Sequence, residues 1–387
     1  VHWSNQQPQA LLLRYIKQQA KKQNLEIKGN VMKKLLLGAI TALTLATTAH
    51  ADFNVVVPQK PTGGTGTWAN LIATEINKFL PADDQIVLEF VTGESDRKAL
   101  KDYVTLNKAD DHVLQITHGG NAESFLQVDL KGFDYRNLEP ILIQNLNIIV
   151  TKWKSFDPTK DTPIMASGSG TVSEAMAVTL LTCGTEMSVD EYLACFKDKV
   201  VWIPGYGGSD RRIAFMNGEL NASRDNPIKT KKKYKEMMED GTGEYWFSHG
   251  ILNASTGEHE DDPNFPGTLL EDKFMLTHDV YPYGDFYDAY KLLKSWRDGL
   301  QKAIWIPRDH PRKQVIIDAI ADMLNDKDSM KIINKKVGKY PTLTGAEAQA
   351  HVDMLFTLIN EDTLKNLLKV TQFTIGTEGV FKPELLE

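Results

Sequence analysis

The chain has 387 residues, of which 42% are hydrophobic and 25% charged, with 27 Gly, 16 Pro and a formal net charge of −7. This profile belongs to an ordinary globular protein of about two domains and excludes disordered, collagen-like and disulfide-rich miniature chains. Lys and Arg total 44 against 51 Asp plus Glu, so there is no global positive field for nucleic acid and no nucleic-acid partner is expected.

Residues 1–31 are polar and basic and read as an upstream extension outside the fold. Met32-Lys33-Lys34 then opens an uncharged run from Leu35 to Thr48, followed by Ala49-His50-Ala51. A short basic region, an apolar stretch too brief to span a bilayer and an A-x-A tail are the parts of a secretory signal peptide over residues 32–51, with cleavage expected before Asp52. The first 51 residues hold seven Lys/Arg and one Glu, so their removal takes the charge from −7 to −13. The product is expected in the periplasm as a monomer. In that oxidising compartment the two cysteines, Cys183 and Cys195, are most simply a disulfide, which over so short a loop would stabilise by about 3 kcal/mol. A zinc site would need two further ligands, and a redox pair is normally C-x-x-C.

The exported part opens with a β-branched strand, Phe53–Pro58, a Gly-rich loop, and a helix over Thr67–Leu80 with apolar positions at 68, 71, 72, 76, 79 and 80. Ile86–Val91 reads as a strand, Asp96–Leu106 as a helix, and Val113–Thr117 as a strand leading into His118-Gly119-Gly120. Leu138–Val150 is one or two buried strands. The same alternation returns with strand Pro163–Ala166, loop Ser167–Gly170, helix Thr171–Leu181, strand Val200–Ile203, and loop Gly205–Ser209 before another helix. Residues 225–284, with basic Lys229–Lys235 and acidic Glu258–Asp262, read as a long, solvated excursion. Helices are expected over Gln314–Leu324 and Ala346–Leu368, the tail packing back on the first lobe. The expected architecture is α/β, with two lobes around a cleft: 52–152 plus 301–387 in lobe 1, and 153–300 in lobe 2.

The chemistry lies in the loops. Thr62-Gly63-Gly64-Thr65-Gly66 sits between a strand and a helix, where glycines bring amide N–H groups close to a ligand and the helix start adds unpaired donors with partial positive charge. An anion fits there. Ser167-Gly168-Ser169-Gly170-Thr171 repeats the device, and Gly207-Gly208 before Arg211 and Arg212 offers it a third time. Either arginine could clamp a second carboxylate, although a helix start usually leaves such a side chain on the surface. His118 could be a ligand contact, a base or a structural hydrogen-bonder, and Gly119 and Gly120 follow it.

Other readings of these loops fit less well. Gly64-x-Gly66-x-x-Ala69 formally matches a dinucleotide fingerprint with Glu89 beyond it, but four residues separate the strand from the glycines. A Walker A loop lacks its Gly-Lys-Ser/Thr. Ser167 and Ser169 are not in a nucleophile elbow, and no His is placed by sequence to serve them. His249, His259 and His278 have no ligand spacing, so no metal and no cofactor are expected.

With these motifs in order, the chain resembles the periplasmic solute receptors of tripartite tricarboxylate transporters, the Bug receptors, over nearly all of residues 52–387. Val55-Val56-Val57-Pro58 through Gly63-Gly64-Thr65 is similar to that family's V-V-P-[FY]-x-x-G-G-x-x-D opening. Ser167-Gly168-Ser169-Gly170 resembles its G-S-x-G loop, Ile203-Pro204-Gly205-Tyr206-Gly207-Gly208 its V-P-Y-K-G-G segment, and Met216–Leu220 its L-x-G-x-V. The chain departs from the pattern at Gly66, Glu174 and Asn221, which replace the family's Asp, His and Asp.

The resemblance implies a type II periplasmic-binding-protein fold that closes on a small organic acid and delivers it to a two-component membrane permease, without catalysis. It also implies that the loops grip a carboxylate through amides and hydroxyls. Hydrogen bonds to a charged group contribute about 1.5–3 kcal/mol each, so several such donors could reach micromolar affinity without a lysine in the cleft. A secreted enzyme acting on a small organic acid in the same cleft is the alternative.

Overall fold

The computed structural model describes residues 52–109, 113–167, 172–184, 186–375 and 380–386. The extension at 1–31 and the signal peptide at 32–51 lie outside the described residues.

The chain opens with β1 (Phe53–Val57), α1 (Gly64–Ile76), β2 (Ile86–Phe90), α2 (Lys98–Ala109), β3 (Val113–His118), α3 (Gly119–Gln127) and β4 (Leu138–Gln144). The α1 face carrying Trp68, Leu71, Ile72 and Ile76 is buried, as its spacing predicts. The helix begins three residues before the expected Thr67 because Gly63, in extended conformation, serves as its N-cap. It stops short of Leu80 because the Asn77 side chain bonds both the amide and the carbonyl of Ile86, 2.8 and 3.1 Å away. The helix expected from Asp96 starts instead at Lys98. Glu94 and Asp96 take left-handed φ angles of 48° and 71° in a tight turn that precedes it.

Next come β5 (Ile149–Trp153), β6 (Ile164–Ser167), α4 (Ser173–Cys183), α5 (Val189–Lys199), β7 (Val201–Pro204), α6 (Gly208–Met216), β8 (Ala222–Asp225), α7 (Pro227–Lys233), α8 (Lys235–Glu239), β9 (Gly243–Ser248), β10 (Ile251–Leu252) and β11 (His259–Glu260). The chain finishes with α9 (Leu270–His278), α10 (Asp285–Gly299), β12 (Lys302–Pro307), α11 (Lys313–Asn325), α12 (Lys327–Lys336), β13 (Thr342–Leu343), α13 (Gly345–Thr357) and α14 (Glu361–Ile375).

One six-stranded sheet runs β13-β4-β12-β3-β1-β2, with β1 parallel to both β2 and β3 and β12 antiparallel to both β3 and β4. A second group comprises the antiparallel sheet β8-β5-β9 and the parallel pair β6-β7. The apolar run 138–150 thus feeds two sheets, β4 in the first and β5 in the second. Helix α10 returns the chain from the second group to the first, packing on α3, α14 and α4.

Residues 225–284 differ from the excursion expected of them. Gly-Glu-Tyr-Trp-Phe-Ser at 243–248 pairs antiparallel with β5 as β9, so this stretch completes a sheet. The single helix expected over 346–368 is two, α13 and α14. Asn360 breaks it, since its side chain caps the second helix by accepting from the Thr363 amide at 2.9 Å.

Three tryptophans anchor the core, each fully buried with its indole N–H satisfied: Trp68 on Gln144 at 2.7 Å, Trp296 on the Leu355 carbonyl at 3.0 Å and Trp305 on Thr117 at 2.7 Å. Among the described residues no helix is long and apolar enough to cross a membrane. Cys183, the last residue of α4, is disulfide-bonded to Cys195 in α5 across twelve positions. Replacing both by Ser is expected to lower unfolding stability by about 3 kcal/mol. Denaturant melts check this, and free-thiol titration of the unfolded wild-type chain should find no reactive cysteine.

Candidate functional site

A cavity of about 650 Å³ opens where the loops after β1, β3, β7 and β8 converge, the carboxyl-end position at which ligands meet α/β sheets. One wall comes from the six-stranded sheet. Gln59 organises it, accepting from the Thr65 amide at 2.9 Å and donating to Asp96 at 3.1 Å. The same Asp96 oxygen meets His118 Nε2 at 3.0 Å, while His118 Nδ1 accepts from the Gly120 amide at 2.9 Å and caps α3. That amide bond fixes Nδ1 as the acceptor, so Nε2 carries the proton and donates to Asp96. Burial pulls the His118 pKa down, with Asp96 opposing. For Asp96, burial works to raise the pKa, but the bonds from His118 and Gln59 hold it below the ordinary value. Both ring nitrogens are therefore engaged within the protein, and His118 takes the part of a structural hydrogen-bonder.

The opposite wall comes from α6, β8 and α7. Arg212 pairs with Asp225 at 3.0 and 3.2 Å and donates to Ser209 at 3.2 Å. Arg211, only 4% exposed, donates to the Arg224 carbonyl at 2.9 Å. Lys229 reaches across the mouth to the Thr62 carbonyl at 3.3 Å.

The floor is ionic. Buried Arg297, from α10, contacts Glu123 of α3 at 2.6 Å and Glu174 of α4 at 3.1 Å, and Arg224 of β8 reaches the same Glu174 oxygen at 3.3 Å. Burial alone would raise Glu174, but Arg224 and Arg297 hold its carboxyl below the usual range. Glu123 is pushed up by burial. Glu174 thus has a structural use: it lies between two guanidinium groups beneath the cavity and, with Glu123, balances their charge.

Seven Lys and Arg side chains line the cavity against three Asp. With Glu123 and Glu174 behind the floor, the formal charges of the described residues leave a surplus of two when Lys302 is protonated and one when it is not, in a chain whose overall charge is −7. Lys302 is the most perturbed of the cations. It is 2% exposed, and burial, aided by Arg297, pulls its pKa down to about 7. Its ammonium bonds Thr65 Oγ1 at 3.2 Å and the Gln301 carbonyl at 2.8 Å.

Of the residues expected at the site, Thr62, Gly63, Gly64, Thr65, His118, Gly120, Gly207 and Gly208 all line this one cavity. Gly66 and Gly119 do not. A Cβ on Gly66 would lie 2.1 Å from the Lys60 carbonyl, and one on Gly119 2.5 Å from the Arg297 carbonyl, so these glycines serve close backbone packing. The Gly119 amide is also taken by Gln301 at 3.2 Å. Ser167 ends β6 opposite Pro204, and Gly168, Ser169, Gly170 and Thr171 lie outside the described residues.

Lysines stand at the cleft beside the amides and hydroxyls of the loops. Lys302 and Arg297 enter from more than 170 positions beyond the glycine loop, through an antiparallel strand and its preceding helix, and no local motif marks them. Arg211, expected on the surface, is buried against β8. His249 meets Asp298 at 2.9 Å, and His278 the Leu181 carbonyl at 3.1 Å.

No family model matches this sequence and no curated protein matches it. Solved structures do resemble it. The R. palustris protein Rpa4515, solved with adipate, superposes with a TM-score of 0.53 at 16% identity, covering 85% of this chain and 98% of that one. The periplasmic binding protein BugD gives 0.50 at 14% identity, covering 85% and 98%. At such identities the likeness establishes a shared fold, the two-lobe α/β architecture of periplasmic binding proteins.

Two outcomes follow from the site's geometry. Lys302 titrates from 10.5 in the unfolded chain to about 7 in the fold. Between those values the unfolded state binds more protons, so this group makes the ligand-free protein more stable as pH rises from 7 towards 10. Denaturant melts of Lys302→Met across that range should lack this component of the wild-type rise. Gly66→Ala should destabilise by about 1–3 kcal/mol through overpacking against Lys60, measurable in the same melts.

Proposed function

We propose that this protein is an extracytoplasmic solute receptor that binds a small organic acid between its lobes. On this reading residues 32–51 export the chain to the periplasm, the ligand is a carboxylate, and the loaded receptor delivers it to a two-component permease of the tripartite tricarboxylate type.

The observation that carries the reading is the cavity itself. Two helix starts, at Gly64 and Gly208, come from different sheets and border one concave space with a net surplus of positive charge. Each start contributes roughly half a positive charge and amides without intrahelical partners, of which the Thr65 amide already serves Gln59, and their convergence suits an organic anion held by both walls. The adipate in Rpa4515 supports this choice of ligand chemistry in a protein of the same fold. The ligand-binding residues on this reading are Thr62, Gly63, Gly64, Thr65, Gly207 and Gly208, together with Arg211 and Lys302. Both ring nitrogens of His118 are taken, by Asp96 and by the Gly120 amide.

A thermal-shift panel of mono-, di- and tricarboxylates, amino acids and neutral sugars tests the proposal. At least one organic acid should raise Tm by several degrees at a hundredfold excess over its Kd, with the shift shrinking as salt rises. A flat response to every acid, or a response to sugars alone, contradicts it.

A further inference from the structure

Asn226 stands between β8 and α7 on the second wall and lines the cavity. It is the N-cap of α7, its Oδ1 accepting from the Lys229 amide at 3.0 Å. Because that oxygen is the acceptor, the other end of the side-chain amide is fixed as the NH2 group. This Nδ2 lies against the first wall. A Cβ built on Gly64, the first residue of α1, would fall 2.2 Å from it, so Nδ2 occupies the space that a side chain at position 64 would take. It has no hydrogen-bond acceptor among the described residues.

Capping does not account for that group. An N-cap needs one acceptor oxygen, which Asp or Ser supplies as well as Asn does. What Asn adds is a pair of N–H donors, and they sit beside the Gly64 amide, which has no intrahelical partner at the start of α1. The flanking side chains are already engaged: Asp225 is held by Arg212 at 3.0 and 3.2 Å, and the Lys229 ammonium reaches the Thr62 carbonyl at 3.3 Å. A backbone donor of one wall and a side-chain donor of the other thus stand side by side and lack an acceptor. A carboxylate has about four lone-pair sites on its two oxygens and can take both, and donors to a charged acceptor make the stronger bonds.

We propose that Asn226 is a ligand-binding residue, its Nδ2 donating to the same carboxylate that the α1 start receives, so that one ligand group is held by both walls at once. This rests on the receptor reading above and adds to it a residue on which affinity depends.

The test replaces Asn226 by two residues that keep the cap. Calorimetric titration uses whichever of malonate, succinate, adipate and citrate binds the wild-type protein tightest. Asn226→Ser removes the donor without adding charge and should weaken binding about tenfold. Asn226→Asp also sets a carboxylate against the ligand's own and should weaken it about a hundredfold. Both variants should keep the wild-type denaturant midpoint in the absence of ligand, since both still cap α7. A residue that served only as a cap would give the same affinity with Asn, Ser and Asp, and binding by both variants within a few-fold of wild type overturns the assignment while the receptor stands. Wild-type affinity in Asn226→Ser with loss in Asn226→Asp alone shows charge acting at a distance and overturns the contact. Should a variant fail to fold, the assigned side-chain NH2 signals of Asn226 in nitrogen–proton correlation spectra of the wild-type protein decide: they should shift on binding, and signals that stay in place overturn the contact. Failure of all four acids to bind the wild-type protein overturns the carboxylate reading on which this residue's role rests.

Discussion

The site depends on one buried ion network. Arg297, on the helix that returns the chain to the first sheet, holds Glu123 on one side and Glu174 on the other, and Arg224 completes the set from β8. Breaking one partner of such a network leaves an uncompensated charge in the interior, at a cost of about 3–5 kcal/mol. The network therefore pins α3, α4, α10 and β8 together beneath the cavity, and it neutralises the two arginines that would otherwise dominate its field. What the ligand meets is the charge left over.

That remainder is distributed unequally in depth. Lys60 is exposed and Lys229 half-buried at the mouth, where solvent and salt screen them, while Arg211 and Lys302 are buried and act at short range in a lower dielectric. An incoming anion is thus steered weakly from outside and held strongly within. Lys302 is poised by burial near neutrality, so an anion placed beside it would restore its proton. Asp96, in its left-handed turn, is held by hydrogen bonds from His118 and Gln59 and places a negative charge on the first wall.

Much of the frame was legible from residue spacing. The Val55–Val57 strand, the amphipathic Trp68–Ile76 face and the paired strand–loop–helix units each carry their own period, and glycine-rich turns before helices mark where amides are left bare. Element ends were less legible because they are decided by side chains reaching across the fold, as Asn77 does to Ile86 and Asn360 to Thr363. The β9 strand was hidden inside a charged, Gly- and Pro-rich stretch, since its identity comes from pairing with β5 rather than from its own composition. The polar half of the site was least legible. Arg297, Lys302 and Asp96 belong to no local motif: the antiparallel return of β12 beside β3 brings Lys302 and, on the helix before it, Arg297, while Asp96 comes from the turn after β2.

On the proposed function, both walls close on an anion through helix-start amides and the buried cations Arg211 and Lys302. The most direct measurement is a crystal structure of residues 52–387 grown with an organic acid that raises its Tm. The account predicts density for an anion touching the amides at both Gly64 and Gly208, with an oxygen at about 3 Å from Lys302 Nζ. Density for that acid outside this cavity, or inside it with Lys302 and Arg211 both turned away, would contradict the account.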